Sequence, residues 1–227
     1  MKDQYFGDIN DYRKYGLLRG LCGGGRFKLG ICWMLTAGDG RTDGRLTSYL
    51  RKPEKWRAYD PPLFDCLHQW VEAGQMRDTR LVQNHEIIPE AKFFNQVLED
   101  QAARRADYFR SMRAHLASAD LIFYDPDNGI EVQSCPVGKR NSCKYIYWNE
   151  LCETYSAGQS ILIYQHFPRV ERSKFISNKV REINEKLGAQ DITSLRTPHV
   201  VYFLVAQDVH SEYLAACVKR VAENWGG

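Results

Sequence analysis

The segment 120-DLIFYDPDNGIE-131 carries the densest set of side chains that could do chemistry. An apolar run of strand character leads directly into a proline turn that is rich in polar groups: Asp125, Pro126, Asp127, Asn128 and Glu131. Carboxylates and amides can accept hydrogen bonds from amines or bind hard cations, and proline ends strand pairing. The sequence therefore predicts a polar site at the end of a buried strand.

The residues alone leave several interpretations of this segment open. Asp125, Asp127 and Glu131 could be oxygen ligands for Mg²⁺ in a metal-dependent nuclease or phosphoesterase. DPDNG could also be an ordinary turn, because an early proline and a closing Asn-Gly are favourable turn residues. The functional counterpart of that second interpretation is a non-catalytic binding protein on the same fold.

The elements that must position this segment alternate between strand and helix. Apolar runs of strand length are found at 27–36, 79–87, 120–124, 160–167, 190–196 and 199–207. Helical patterns are found at 11–21, 61–74, 98–116, 146–155, 170–188 and 211–224, and residues 45–60 are polar and irregular. This alternation predicts an α/β fold with an open, mostly parallel sheet and helices on both faces. The short link at 197–198 predicts an antiparallel C-terminal edge.

Length and composition favour one domain with one core. The chain has 227 residues, of which 44% are hydrophobic, so we expect a single domain over 1–227 with an insertion at about 41–78. A formal net charge of +3 neither demands nor excludes nucleic acid. The basic residues gather at 51–57, 104–105, 139–140 and 169–174, so a polyanion site would have to be built by folding these segments together.

Cysteine usage and hydropathy favour the cytoplasm. The seven cysteines are odd in number and form no CxxC pair, which is typical of reduced thiols that serve as small apolar side chains. The first residues, MKDQYFGDIN, contain no apolar run, and no window approaches the roughly 18 apolar residues of a membrane span. We expect a cytoplasmic protein with no membrane partner.

Short motifs in a fixed order give the chain a resemblance to a known family. The motifs are 7-GDINDYRKY-15, 37-AGDGR-41, 120-DLIFYDPDNGIE-131 and 164-YQHFPR-169. In this order they resemble the bacterial adenine-N6 methyltransferases of large-subunit ribosomal RNA and, more distantly, the three-Cys-motif partner proteins. The resemblance implies a class I methyltransferase fold, S-adenosylmethionine as cofactor, and RNA or DNA as partner.

The resemblance also implies roles for particular residues. Cofactor-binding residues would be Lys14, Thr36, Gly38 and Gly40, and substrate-binding residues would be Tyr5, Tyr124, His166 and Phe167. Catalytic residues would be Asp125, Pro126 and Asn128, with the Asp125 side chain and the Pro126 carbonyl accepting the N–H bonds of an adenine amine. We further predict that Lys14 turns inward to hold a carboxylate of the cofactor or of the site.

The chain departs from the family pattern inside this motif. Family members have a proline and an aromatic residue where this chain has Asp127 and Asn128, and that aromatic residue stacks on the flipped base. Stacking is therefore expected from elsewhere, with the candidates Tyr124, Tyr145, Tyr147 and Trp148. The strand before AGDGR also ends in Thr36 without the acidic residue that usually precedes such a loop.

Overall fold

The computed structural model describes residues 2–22, 27–37, 44, 46–74 and 77–225. The chain divides into two compact units. The sheet unit comprises residues 27–37 and 92–212. The helical unit comprises the described residues of 2–26, 38–91 and 213–227. The segment at about 41–78, which the sequence marks as an insertion, belongs to the helical unit in its described part.

Helices and strands follow one another along most of the described chain. The helices are α1 (Ile9–Cys22), α2 (Pro53–Trp56), α3 (Pro61–Glu72), α4 (Arg80–Asn84), α5 (Ala102–His115), α6 (Trp148–Ser156), α7 (Arg172–Leu187) and α8 (Asp208–Trp225). The strands are β1 (Leu29–Cys32), β2 (Lys92–Phe94), β3 (Leu121–Tyr124), β4 (Gly129–Ile130), β5 (Tyr145–Ile146), β6 (Ser160–His166), β7 (Ile192–Arg196) and β8 (Val200–Val205). Short 3-10 turns lie at Asp3–Tyr5, Ser48–Arg51, Arg57–Tyr59 and Ser142–Lys144.

A six-stranded sheet with the order β2-β1-β3-β6-β8-β7 forms the centre of the sheet unit. Strands β2, β1, β3 and β6 pair in parallel, whereas β8 pairs antiparallel with both β6 and β7. The predicted α/β class, with a mostly parallel sheet flanked by helices and an antiparallel C-terminal edge, is confirmed. A separate short pair joins β4 to β5 in parallel.

The central strands are mostly apolar because both faces of a mostly parallel sheet are covered. Every residue of β1, β3 and β8 is buried, and β6 is buried up to its last residue. One face packs against residues of the flanking helices, including Phe109, Met112, Leu151 and Ile183. The strand ends, where side chains are no longer needed for the core, are the positions left for a site.

One strand prediction is wrong, and one strand was not predicted. Residues 79–87, predicted as a strand, contain helix α4, because the Asp78 carboxylate accepts the Arg80 amide at 2.8 Å and begins a helical turn. The Asp3 carboxylate adds to this by accepting the Thr79 amide at 2.9 Å. The actual edge strand is β2, whose three residues are too short to show a period of two.

Helix α5 begins four residues later than the predicted start at residue 98 because the preceding residues make other hydrogen bonds. The Leu98 amide donates to the Leu35 carbonyl at 2.7 Å, continuing strand pairing beyond β1. The Asp100 carboxylate accepts the Cys143 amide at 2.8 Å. A helix starting at Leu98 would break both contacts.

In the helical unit, α1 and α3 carry the buried stripes that the sequence predicts. Asp60 caps α3 by accepting the Leu63 amide at 3.2 Å. Residues 45–60 were predicted to be irregular, but in their described part they form α2 and the 3-10 turns on either side of it. Their aromatic side chains explain the order, because the Tyr49 ring stacks on the Tyr12 ring of α1 at 5.2 Å.

Two simpler expectations concern thiols and membranes. All seven cysteines are free, and Cys22, Cys32, Cys135 and Cys217 are buried. In the portion of the chain that the structure covers, no helix combines the length and the apolar character needed to cross a bilayer.

Candidate functional site

The carboxyl ends of β1 and β3 are joined by hydrogen bonds. The Asp125 amide donates to the Cys32 carbonyl at 3.1 Å, which continues the pairing of the two strands by one step. The Thr36 hydroxyl then donates to the Asp127 carboxylate at 3.0 Å. Asp125 itself is only 3% exposed. The structure therefore brings together two sites that the sequence predicted separately, the end of the first strand and the DPDNG turn.

The Gln165 side chain holds the DPDNG turn from the end of β6. Its Nε2 donates to the Asn128 carbonyl at 3.0 Å and to the His166 carbonyl at 2.8 Å. Its Oε1 accepts the Ile130 amide at 2.9 Å. Because one side-chain amide satisfies backbone groups on both sides of Gly129, the turn is fixed relative to the sheet.

Gly129 is required by this close approach. Its φ is +118°, a conformation that side-chain-bearing residues rarely adopt. A Cβ atom at this position would lie 2.3 Å from the side-chain amide of Gln165. The Asn-Gly of the motif is thus explained by packing as well as by turn chemistry.

A pocket of about 320 Å³ opens beside this turn. It is lined by Asn128, Ile130, Val132, Tyr145, Gln165, His166, Phe167, Pro168, Phe175 and Lys179. Its volume lies near the lower end of the roughly 300–1,000 Å³ of small-molecule sites, and its mostly apolar wall with a few polar groups is typical of them. The pocket therefore has room for a small ligand group.

Two polar groups of the pocket keep their hydrogen-bonding capacity. In the described chain, no protein group hydrogen-bonds to the Asn128 side-chain amide or to the Tyr145 hydroxyl. The Asn128 backbone, by contrast, is fully engaged, because its amide donates to the Lys144 carbonyl at 2.9 Å. A fixed backbone with an available amide suits the recognition of a ligand edge that offers both a donor and an acceptor.

Aromatic side chains form one wall of the pocket. The Phe167 ring packs edge-on against the Phe175 ring at 6.0 Å. The Arg172 guanidinium lies over the Phe167 ring, 5.2 Å from its centroid. His166 is exposed, and its Nε2 is 3.2 Å from the Tyr164 hydroxyl. His166 and Phe167, both predicted substrate-binding residues, therefore lie in one pocket with Asn128.

A buried ion pair holds the backbone at Tyr145, one of the residues that line the pocket. Arg105 and Glu150 form a bidentate pair at 2.6 and 2.8 Å, and Arg105 also donates to the Tyr145 carbonyl at 2.7 Å. Burial raises the pKa of the Glu150 carboxyl, against the opposing effect of Arg105. The sequence did not reveal this clamp, because Arg105 stands in the pair 104-RR-105 that resembles a solvated basic surface.

Tyr124 does not line the pocket, and a part for it in substrate binding stays a prediction. Its side chain is fully buried in the core, with the hydroxyl 2.6 Å from the Thr154 Oγ1. Burial raises its pKa well above the ordinary tyrosine value. Tyr147 is also buried, and its hydroxyl donates to the Cys135 carbonyl at 2.7 Å. Of the tyrosines considered for stacking, Tyr145 is the one that lines the pocket.

The alternative of a metal site at Asp125, Asp127 and Glu131 stays a prediction. The Glu131 carboxylate accepts the Trp148 amide at 3.1 Å and so satisfies the first turn of α6. Across the described ranges of the chain, no three His, Cys, Asp or Glu side chains are grouped so that they could hold a metal ion.

The remaining predicted residues lie elsewhere or outside the described chain. Gly38 and Gly40 of the AGDGR motif fall outside the described residues. Tyr5 and Lys14 belong to the helical unit. The Lys14 side chain is 3% exposed, and its Nζ is 2.9 Å from Asp11 Oδ1. A part for Tyr5 and Lys14 in ligand binding stays a prediction.

Comparison with known proteins does not add to this geometry. No family model, no curated protein and no solved structure matches the chain. The function must therefore be argued from the pocket and the turn beside it.

Proposed function

We propose that the protein is an S-adenosylmethionine-dependent methyltransferase that acts on the exocyclic amine of adenine in nucleic acid. The observation that carries the proposal is the turn at 125–128. It begins with a buried carboxylate, Asp125, at the end of β3, and it ends with the available side-chain amide of Asn128 in an aromatic pocket. This combination suits the capture of a base whose amine must be held at a strand end.

The chemistry of the residues at the sheet edge fits the cofactor. S-adenosylmethionine, when bound, supplies an electrophilic methyl group on a positively charged sulfur. Asp125 and Asp127 place carboxylates at the edge where β1 and β3 end, and a carboxylate favours a nearby cation. The antiparallel pair β7–β8 also agrees with the fold that the resemblance implies. Thr36, bonded to Asp127, joins this edge to the start of the AGDGR motif.

The proposed role of Asp125 follows from the poor reactivity of an adenine amine. Its lone pair is delocalised into the ring, so the amine attacks weakly unless its N–H bonds are held by acceptors. The Asp125 carboxylate and the Pro126 carbonyl accept those bonds and direct the lone pair, which is catalysis by positioning and electrostatics. Asn128 reads the ring edge, while Tyr145 and Phe167 contact the ring faces.

Binding of the cofactor is the first test of the proposal. Isothermal titration calorimetry of the folded protein with S-adenosylmethionine and with S-adenosylhomocysteine should show binding of both. A folded protein that binds neither would remove the proposal, whatever its affinity for nucleic acid.

Substitution of Asp125 is the second test. Asp125→Ala removes the acceptor of the amine N–H bond, so methyl transfer to adenine-containing single-stranded RNA should fall by about 100-fold or more. Calorimetric binding of the cofactor should persist. Asp120→Ala is the matched control, because Asp120 lies at the opposite end of β3 and accepts the Lys28 amide at 2.8 Å. Equal losses in the two variants would contradict the role of Asp125.

A further inference from the structure

A basic surface lies on the helical unit. It consists of Arg51, Lys52 and Lys55 around the indole of Trp56, with Arg13 from α1 beside it. The Arg51, Lys52 and Lys55 side chains are exposed, whereas Trp56 and Arg13 are half-buried. We propose that this surface binds the phosphodiester backbone of a single-stranded nucleic acid.

The first support is that Arg51, Lys52 and Lys55 have no acidic partner among the described residues. Other arginines of the helical unit are paired, such as Arg19 with Asp60 at 2.7 Å and Arg57 with Asp65 at 2.7 Å. Within the described residues, no carboxylate pairs with Arg51, Lys52 or Lys55. Neighbouring cations left without acidic partners repel one another, so the surface gains free energy when a polyanion binds and releases its counterions.

The second support is that the surface is rigid. The Trp56 ring packs against the Tyr49 ring at 6.1 Å and the Tyr59 ring at 5.8 Å. The Tyr12 hydroxyl donates to the Trp56 carbonyl at 2.8 Å, which ties α2 to α1. Because the backbone under the cations is already ordered, little conformational entropy is lost when they bind a ligand.

The Trp56 indole also positions two of the cations, Arg13 and Lys55. The Arg13 guanidinium lies 5.3 Å and the Lys55 ammonium 5.5 Å from the Trp56 ring centroid. Lys52 and Lys55 lie one turn apart, since the Lys55 amide donates to the Lys52 carbonyl at 3.1 Å. Side chains one turn apart on a helix are about 5–6 Å apart at Cβ, which suits contacts with neighbouring phosphates of one strand.

The absence of an inserting apolar side chain argues against an anionic membrane as the partner. A helix that lies on a bilayer buries large apolar residues among the acyl chains. The exposed large hydrophobic residues of the described chain are Leu46, Val97, Val132, Val137, Val170 and Val209, and none belongs to the segment 48–59. The Trp56 ring packs against Tyr49 and Tyr59. The surface therefore presents positive charge but no large apolar side chain that could insert into a bilayer.

The test compares two sets of neutralised cations. In the surface variant, Arg51, Lys52 and Lys55 are each replaced by Gln. In the control variant, the exposed cations Arg104, Lys186 and Lys219 are each replaced by Gln, so the net charge changes equally. Fluorescence anisotropy with a labelled mixed-sequence single-stranded RNA gives the affinity of each protein at several salt concentrations, and circular dichroism confirms folding.

We expect the surface variant to bind the RNA at least about tenfold more weakly than the wild type. The slope of log K against log salt should also decrease by about 2, because up to three phosphate contacts are lost. The control variant should retain most of the affinity. Equal losses in both variants, no RNA binding by the wild type, or binding to vesicles of anionic phospholipid in preference to RNA would each overturn the proposal.

This inference is separate from the proposed methyl transfer. A protein that binds RNA through the surface but fails to bind S-adenosylmethionine would keep the inference and lose the proposed function. A protein that binds the cofactor but shows no difference between the surface and control variants would do the opposite.

Discussion

Two basic segments that look alike in the sequence have opposite environments in the structure. In 104-RR-105, Arg105 is 2% exposed and forms a bidentate pair with Glu150. In 51-RKPEKWR-57, the side chains of Lys52 and Lys55 are exposed and have no acidic partner among the described residues. Arg105 in the first segment therefore stabilises the fold around the pocket, whereas Lys52 and Lys55 in the second are exposed cations outside any ion pair of the described chain. Substitutions in the two segments should differ accordingly.

The largest expected effect is on Arg105. Arg105→Met leaves Glu150 buried without its partner, and loss of one partner of a buried pair costs about 3–5 kcal/mol of unfolding free energy. Arg104→Met, at the exposed neighbouring position, should change stability by less than about 0.5 kcal/mol. Chemical denaturation monitored by circular dichroism measures both.

A second variant separates charge pairing from general damage. Arg105→Met combined with Glu150→Leu removes both charges, so it should recover much of the stability lost by Arg105→Met alone. A double variant no more stable than the single one would show that the contribution of Arg105 comes from its hydrogen bonds to the Ser142 and Tyr145 carbonyls.

The turn beside the pocket should give the next largest effect. Gly129→Ala introduces both a strained φ and a clash with Gln165, so we expect a loss of about 2–4 kcal/mol. Gly158→Ala is the matched control, since Gly158 has a φ of +86° but nothing within 4 Å of an added Cβ. It should lose only about 1–2 kcal/mol from backbone strain. Thermal or chemical denaturation measures both variants. Equal losses of stability in Gly129→Ala and Gly158→Ala would show that the contact between Gly129 and the Gln165 side chain does not contribute.

A smaller, pH-dependent effect is expected at Asp100, which accepts the Cys143 amide at 2.8 Å and the Asn141 amide at 2.9 Å. Burial acts to raise the pKa of Asp100, but these hydrogen bonds outweigh it and lower the pKa. A pKa lowered by folding contributes stability above the unfolded value of about 3.9, and this contribution is lost as the pH falls through the folded pKa.

Asp100→Asn should therefore be less stable than the wild type at pH 7, with a difference that shrinks below about pH 4. Denaturation midpoints measured at pH 7 and pH 3 give the comparison. Asp107→Asn, on the exposed side of α5, serves as the control and should change stability by less than about 0.5 kcal/mol at either pH. A pH-independent loss at Asp100 would mean that the carboxylate charge does not stabilise this loop.

Much of the sheet could be predicted from the sequence because its strands are continuous apolar runs. The run 160-SILIYQHF-167 can be interpreted only as a buried strand. The short link between β7 and β8 allows only antiparallel pairing of these two strands. The edge strand β2 could not be found, since its three residues carry no period. Local capping by Asp78 decided against the strand predicted at 79–87.

The candidate site was predictable only in part. The motif marked Asp125 and Asn128 because proline and glycine in a polar run identify a turn at a strand end. Gln165 and Arg105 were missed, because their importance lies in contacts with residues 35–45 positions away in sequence. The complete burial of Tyr124 was not predictable either, since the sequence of β3 does not show that all four of its residues are buried.

The smallest effect on stability is expected at the basic surface in segment 51–57, and it can be compared directly with the effect of Arg105→Met in segment 104–105. Lys52→Gln and Lys55→Gln remove exposed charges that have no carboxylate partner in the described chain, so the unfolding free energy should change by less than about 0.5 kcal/mol. The same denaturation series used for Arg105→Met gives this value. A loss above about 1 kcal/mol would mean that these lysines stabilise the fold as Arg105 does. If these variants keep their stability but bind RNA more weakly, then Lys52 and Lys55 serve to bind RNA and do not stabilise the fold.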